Sequence, residues 1–87
     1  MLRVSETSRE GEVAVLRLEG EMIGPWVEVV KKACEPFLSN GHQLTIDLAD
    51  ISHVDRNGIA LLKKLMQAQA KLINESPFLS AQLRVTD

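Results

Sequence analysis

The groups able to do chemistry gather between Asp47 and Gly58. Asp47, Asp50, His53 and Asp55 form the one concentration of acidic and imidazole side chains, and they run into Arg56, Asn57 and Gly58. A metal would need three or four converging ligands, and strand alternation sends Asp47 to the face opposite Leu48, so the spacing implies no metal site. His42 and His53 fall near loop positions that suggest no nucleophile and base pair, and no serine stands in a Gly-x-Ser-x-Gly turn. Ser52, three residues before Asp55, reads as a loop hydroxyl. Gly20, Gly24, Gly41 and Gly58 are too dispersed to cradle a phosphate. The expectation from these residues is no catalytic residue and no cofactor.

What the cluster does offer is a helix start. Asp55 is placed to accept from the free N–H groups of a first turn and to meet its positive dipole end, and Asn57 can share or replace that role. Gly58, without a side chain, permits close approach by a neighbouring element or by a partner. Arg56 puts a guanidinium beside the helix start, where it can clamp a partner's carboxylate or the phosphate of a ligand. Its plainer alternative is a solvated surface charge that contributes little.

These residues must be positioned by elements that the hydrophobic period reveals. Ala14, Leu16 and Leu18 alternate with Arg17 and Glu19, giving a strand from Glu12 to Gly20, with Val13 and Val15 partly covering its second face. Leu2, Val4 and Glu6 form a shorter strand joined to it through a turn over 7–11, so this first pair is expected to be antiparallel. After Gly24-Pro25, an apolar stripe at Trp26, Val29, Val30, Ala33, Phe37 and Leu38 predicts an amphipathic helix that Pro36 loosens and Asn40-Gly41 ends. Leu44, Ile46 and Leu48 mark a third strand, completing a right-handed β-α-β crossover. A second helix starts near Asp55 and turns Ile59, Leu62, Leu65 and Met66 inward, with Lys63, Lys64 and Gln67 outward. Ala70 to Ile73 is read as a fourth strand. Ser76-Pro77 then caps a short last helix with Phe78, Leu79 and Leu83 as its apolar face. Trp26, Phe37 and Phe78 are expected in the core or in helix–sheet packing, where truncating a buried ring would cost roughly 3 to 5 kcal/mol. Met22 and Ile23, in the loop after the second strand, either plug the core edge or face a partner.

Composition narrows the function further. The 87 residues carry 10 Lys and Arg against 12 Asp and Glu, a net charge of −2, which offers no cationic footprint for nucleic-acid phosphates. One domain over 1–87 is the expectation at this length. The start turns polar too soon for a signal peptide, and no segment has the roughly 20 apolar residues that span a bilayer. The single Cys34 on an apolar helical stripe suits a reduced, cytoplasmic setting.

The stretch Leu44-Thr45-Ile46-Asp47-Leu48-Ala49-Asp50-Ile51-Ser52-His53-Val54-Asp55-Arg56-Asn57-Gly58-Ile59-Ala60-Leu61-Leu62 resembles the signature of STAS domains, the fold of bacterial anti-sigma factor antagonists. Leu18-Glu19-Gly20-Glu21 resembles it too, and Ala70-Lys71-Leu72-Ile73 followed by Ser76-Pro77-Phe78 is similar to compact members. The resemblance runs from about Val13 to Leu83. It implies a non-enzymatic switch that docks through this loop and the following helix onto an ATPase-fold anti-sigma kinase. Relatives instead sit beside transporter ATPases or within stress-signalling scaffolds. In phosphorylated members the motif is Asp-Ser-Ser-Gly or Asp-Ser/Thr-x-Gly, and the hydroxyl after the Asp takes the phosphate. Here that position is Arg56, followed by Asn57. A phosphate would bring about −1.5 to −2 charges, whereas Arg56 brings a fixed positive one, so it neither accepts phosphate there nor mimics the modified state.

The sequence is thus read as an α/β fold, a four-stranded mixed sheet with two main helices and a short C-terminal one. Its expected function is regulatory protein binding, with Met22, Ile23, Asp55, Arg56, Asn57 and Gly58 at the docking surface. An anti-sigma kinase or a transporter ATPase is the expected partner, and a homodimer is left open. The alternatives are an accessory subunit of a lipid or solute ABC transporter, and a small-ligand or anion sensor at the helix start.

Overall fold

The computed structural model describes residues 1–84. Its elements are β1 (Leu2–Glu10), β2 (Val13–Met22), α1 (Trp26–Ser39), β3 (Gln43–Val54), α2 (Arg56–Gln67), β4 (Lys71–Ile73) and α3 (Pro77–Arg84). The strands form one mixed sheet in the order β1-β2-β3-β4, with β1 antiparallel to β2 and the other pairs parallel. The alternation explains the layering. Ala14, Leu16 and Leu18 of β2 stand beside Leu44, Ile46 and Leu48 of β3 on one buried face, against Val30 and Cys34 of α1 and Leu61, Leu62 and Leu65 of α2. Removing such a side chain from water stabilises the fold by about 1.5–3 kcal/mol each. The opposite face carries Arg17, Thr45 and Asp47, all partly open to solvent.

Both main helices end in the same device. Gly41, at φ 74°, donates its N–H to the Leu38 carbonyl at 3.2 Å while His42 N–H reaches Phe37 O at 2.9 Å. After α2, Gln69 takes φ 74° and donates to Met66 O at 3.0 Å, while Ala70 N–H reaches Leu65 O at 2.9 Å. Each is a Schellman closure that satisfies terminal carbonyls and turns the chain out of the helix. The second one separates Ala70 to Ile73 from α2 and frees Lys71–Ile73 to pair with β3.

Several expectations need correction. β1 does not stop at Glu6: after an irregularity at Thr7 it continues to Glu10, leaving a two-residue turn at Gly11 and Glu12 in which Gly11 supplies the φ of +59° that tight hairpins demand. β3 extends through Val54, so Ser52 and His53 are strand residues, and the Ser52 hydroxyl donates to Gly20 O at 3.1 Å. Val29 and Met66, placed inward by period, are exposed, while Val27 and Cys34 take the inner positions on α1. Lys63 is half-buried rather than outward. Phe78 is 75% exposed and is not a core ring, because Leu79, its neighbour on α3, takes the buried position.

Candidate functional site

At the junction of β3 and α2 the sequence cluster resolves into separate jobs. Asp55 has extended backbone, φ −85° and ψ −178°, and caps α2 by accepting from Gly58 N–H on Oδ1 at 2.8 Å. Its other oxygen, Oδ2, accepts from Gly24 N–H at 2.9 Å, and its own N–H donates to Met22 O at 3.2 Å. One residue therefore ties the β2–α1 loop to the start of α2. The N–H of Gly24, and then that of Gly58, hold its carboxyl below the usual carboxylate range. Asp47 is also held low, first by the Ala49 N–H and next by the Asn74 amide, which fasten the turn after β4 to β3. Asp50 pairs with Arg17 on the neighbouring strand. Among the described residues no three His, Cys, Asp or Glu side chains are grouped to hold a metal.

The predicted docking residues divide. Arg56 and Asn57 are exposed on the first turn of α2, and Ile23, which precedes Gly24 in the β2–α1 loop, is half-buried. Met22 is the last residue of β2 with a fully buried side chain, so it plugs the core and presents nothing to a partner. Gly58 is buried as well, and the surface that approaches it is internal. A Cβ there would stand 2.6 Å from Val54 Cγ1 and 2.7 Å from the Met22 carbonyl, so the missing side chain lets α2 settle on the ends of β2 and β3.

Period analysis gave no hint of the cleft beside this junction. It has a volume of about 810 Å³ and is bounded by Ile51 to Val54 of β3, by Arg56, Ile59 and Lys63 of α2, and by Phe78, Leu79 and Gln82 of α3. The sequence puts Phe78 on the apolar face of α3 with Leu79 and Leu83; its position at the cleft follows from α3 packing against α2. The family model described as Mlab, STAS domain, matches residues 5–87. This chain belongs to the STAS domain family. Its fold is similar to that in "Structure of the Anti-Sigma Factor Antagonist SpoIIAA in its Unphosphorylated Form", with a TM-score of 0.72, 21% identity, and coverage of 93% of this chain and 79% of that one. It is also similar to part of the protein in "Crystal Structure Analysis of Mglu", with a TM-score of 0.61 and 23% identity over 86% of this chain and 19% of that one. No curated protein matches the sequence. At these identities the likeness of this STAS domain to solved structures carries its fold. Among its described residues no helix is long and apolar enough to cross a membrane.

Proposed function

We propose that this STAS domain is a non-enzymatic regulatory module that binds another protein through the start of α2 and the adjoining β2–α1 loop, with Arg56 and Asn57 as the contacting side chains. The observation that carries this reading is the double engagement of Asp55. Its two oxygens hold Gly24 and Gly58, which ties the loop to the helix start, where Arg56 is exposed. Arg56, at the position where phosphorylated relatives keep a hydroxyl, takes no phosphate, so binding is constitutive or is controlled elsewhere. That same substitution favours a second reading, an accessory subunit of a transporter ATPase, whose docking needs no kinase-driven release. An anion sensor at this helix start is less well supported, because the Asp55 carboxylate already occupies it.

The test is a titration of wild type and Arg56→Glu against the two candidate partner classes, an ATPase-fold anti-sigma kinase and a transporter ATPase from the same cell. Reversal of a contacting charge juxtaposes like charges, so the affinity should fall by about tenfold or more at low salt, and the loss should shrink as salt rises. Equal affinity of the two chains at all salt concentrations removes Arg56 from the interface.

A further inference from the structure

We infer that the cleft between α2 and α3 receives an extended, acidic segment of the protein partner, which pairs with the free edge of β3. This rests on the docking function proposed above and names the chemistry of what docks. The two strands on that side are unequal. β3 has 12 residues and β4 has three, and β4 meets β3 at Thr45, Ile46 and Asp47. Among the described residues, the backbone from Leu48 to Val54 has no strand on this side, and the Ala49 N–H is taken by Asp47 Oδ1, so the open stretch begins after it. Unpaired N–H and C=O groups in a row are a template for an added strand. Ile51 to Val54 of that edge form one wall of the cleft.

Register irregularities between Arg17 and Glu19, and between Gly20 and Glu21, put extra residues into β3 along this stretch. Such bulges twist the edge away from a flat ladder. They favour a short insert of about four residues, roughly 13 Å of extended chain, over a long strand. The exposed ring of Phe78, with Ile59 and Leu79, gives apolar cover for side chains on the helix side of the insert.

Charge selects the occupant. Arg56 brings positive charge to the cleft wall, and the acidic lining residue, Asp55, has both oxygens accepting backbone N–H groups, so the guanidinium is the charged group left to meet a partner. Carboxylates are therefore favoured at the cleft. A second copy of this chain supplies no such strand in its exposed edge, β1, which mixes Arg3 and Arg9 with Glu6 and Glu10. The occupant is a partner's acidic segment.

The experiment uses the full chain and three fluorescein-labelled, acetylated hexapeptides: alternating Val and Glu, alternating Val and Lys, and the Glu peptide N-methylated at every second amide in either register. Anisotropy reads binding, and amide exchange reads where. The Glu peptide should bind at least tenfold more tightly than the other two, with slowed exchange between Asp50 and Val54. Arg56→Glu should cancel the preference for Glu over Lys, and Phe78→Ala, at an exposed position that leaves folding intact, should weaken the Glu peptide several-fold. Equal binding of all three peptides, no binding of the Glu peptide, or protection confined to other residues overturns the inference. If one of those results appears while Arg56→Glu still loses the whole partner, strand pairing is wrong and docking at the helix start stands. If Arg56→Glu keeps the whole partner, it is the docking function that fails.

Discussion

Asp55 does two things with one carboxylate, and the ionised form does both. Each oxygen accepts a backbone N–H, from Gly24 and from Gly58, and protonation would weaken the two acceptors together. Because its pKa in the folded chain lies below the ordinary value of 3.8, the unfolded chain takes up the proton first as pH falls. The sign follows: the stabilisation is fully present above about 4 and is lost as pH drops through the lower folded value. Asp47 is lowered in the same direction and adds to the same acid limb. Asp55→Ala should therefore melt at a lower temperature than wild type at pH 7, and the gap between the two should close on acidification below pH 4. Thermal scans from pH 7 to pH 2 check this, and a gap that persists at the lowest pH would show that the carboxylate charge is not the source. The capping role of Asp55 was readable from sequence, since a carboxylate precedes an apolar-periodic run. The bond to Gly24, 31 residues earlier, was not, because local spacing says nothing about which loop a sheet brings alongside.

For the elements, the readable and the hidden parts separate by length. Strands β2 and β3 and helices α1 and α2 carry enough turns or alternations for their period to be plain. The eight residues of α3 make about two turns, too few to decide which of Phe78 and Leu79 faces inward, and the side chain that lost is the one now at the cleft. The end of α2 lacks a sequence signal for a different reason. Its left-handed closing residue is Gln69, where a glycine would have signalled the stop that Gly41 signals for α1. The polar residues of β1 beyond Glu6 read as a turn because this end of the strand is exposed on both faces, with no packed layer to demand apolar side chains. Gly58 makes the element-scale argument testable. Its absent Cβ sets how closely α2 sits on the ends of β2 and β3, and Val54 and a backbone carbonyl stand in the way of any addition. Gly58→Ala gains helix propensity of about 1 kcal/mol, but even if the Val54 side chain rotates, the Met22 carbonyl cannot, so a net loss of about 1–3 kcal/mol should appear in urea unfolding. A variant as stable as wild type would mean that the helix simply tilts.

Taken whole, the molecule has one sheet face covered by helices, and Cys34 reports on whether that cover opens in parts or all at once. Its side chain is 1% exposed, inside the same apolar cluster as Leu16, Leu18, Ile46 and Leu62. Burial pushes the thiol up from 9.0 to about 11, so the reactive thiolate is suppressed as well as shielded. If α1, the sheet and α2 unfold together, a thiol reagent reaches Cys34 when the entire domain opens. The free energy obtained from labelling then equals that from denaturant unfolding. For a chain of this length that is roughly 4–13 kcal/mol, which slows labelling by about a thousandfold or more relative to the unfolded chain. Raising the pH adds a check with a definite sign. Between about 9 and 11 the unfolded thiol ionises while the folded one keeps its proton, so the contribution of this group to stability declines across that window. Labelling that outpaces global unfolding, and that responds weakly to urea, would instead show α1 lifting from β2 and β3 on its own, carrying the Gly24 loop away from Asp55 and taking the proposed docking surface apart before the sheet melts.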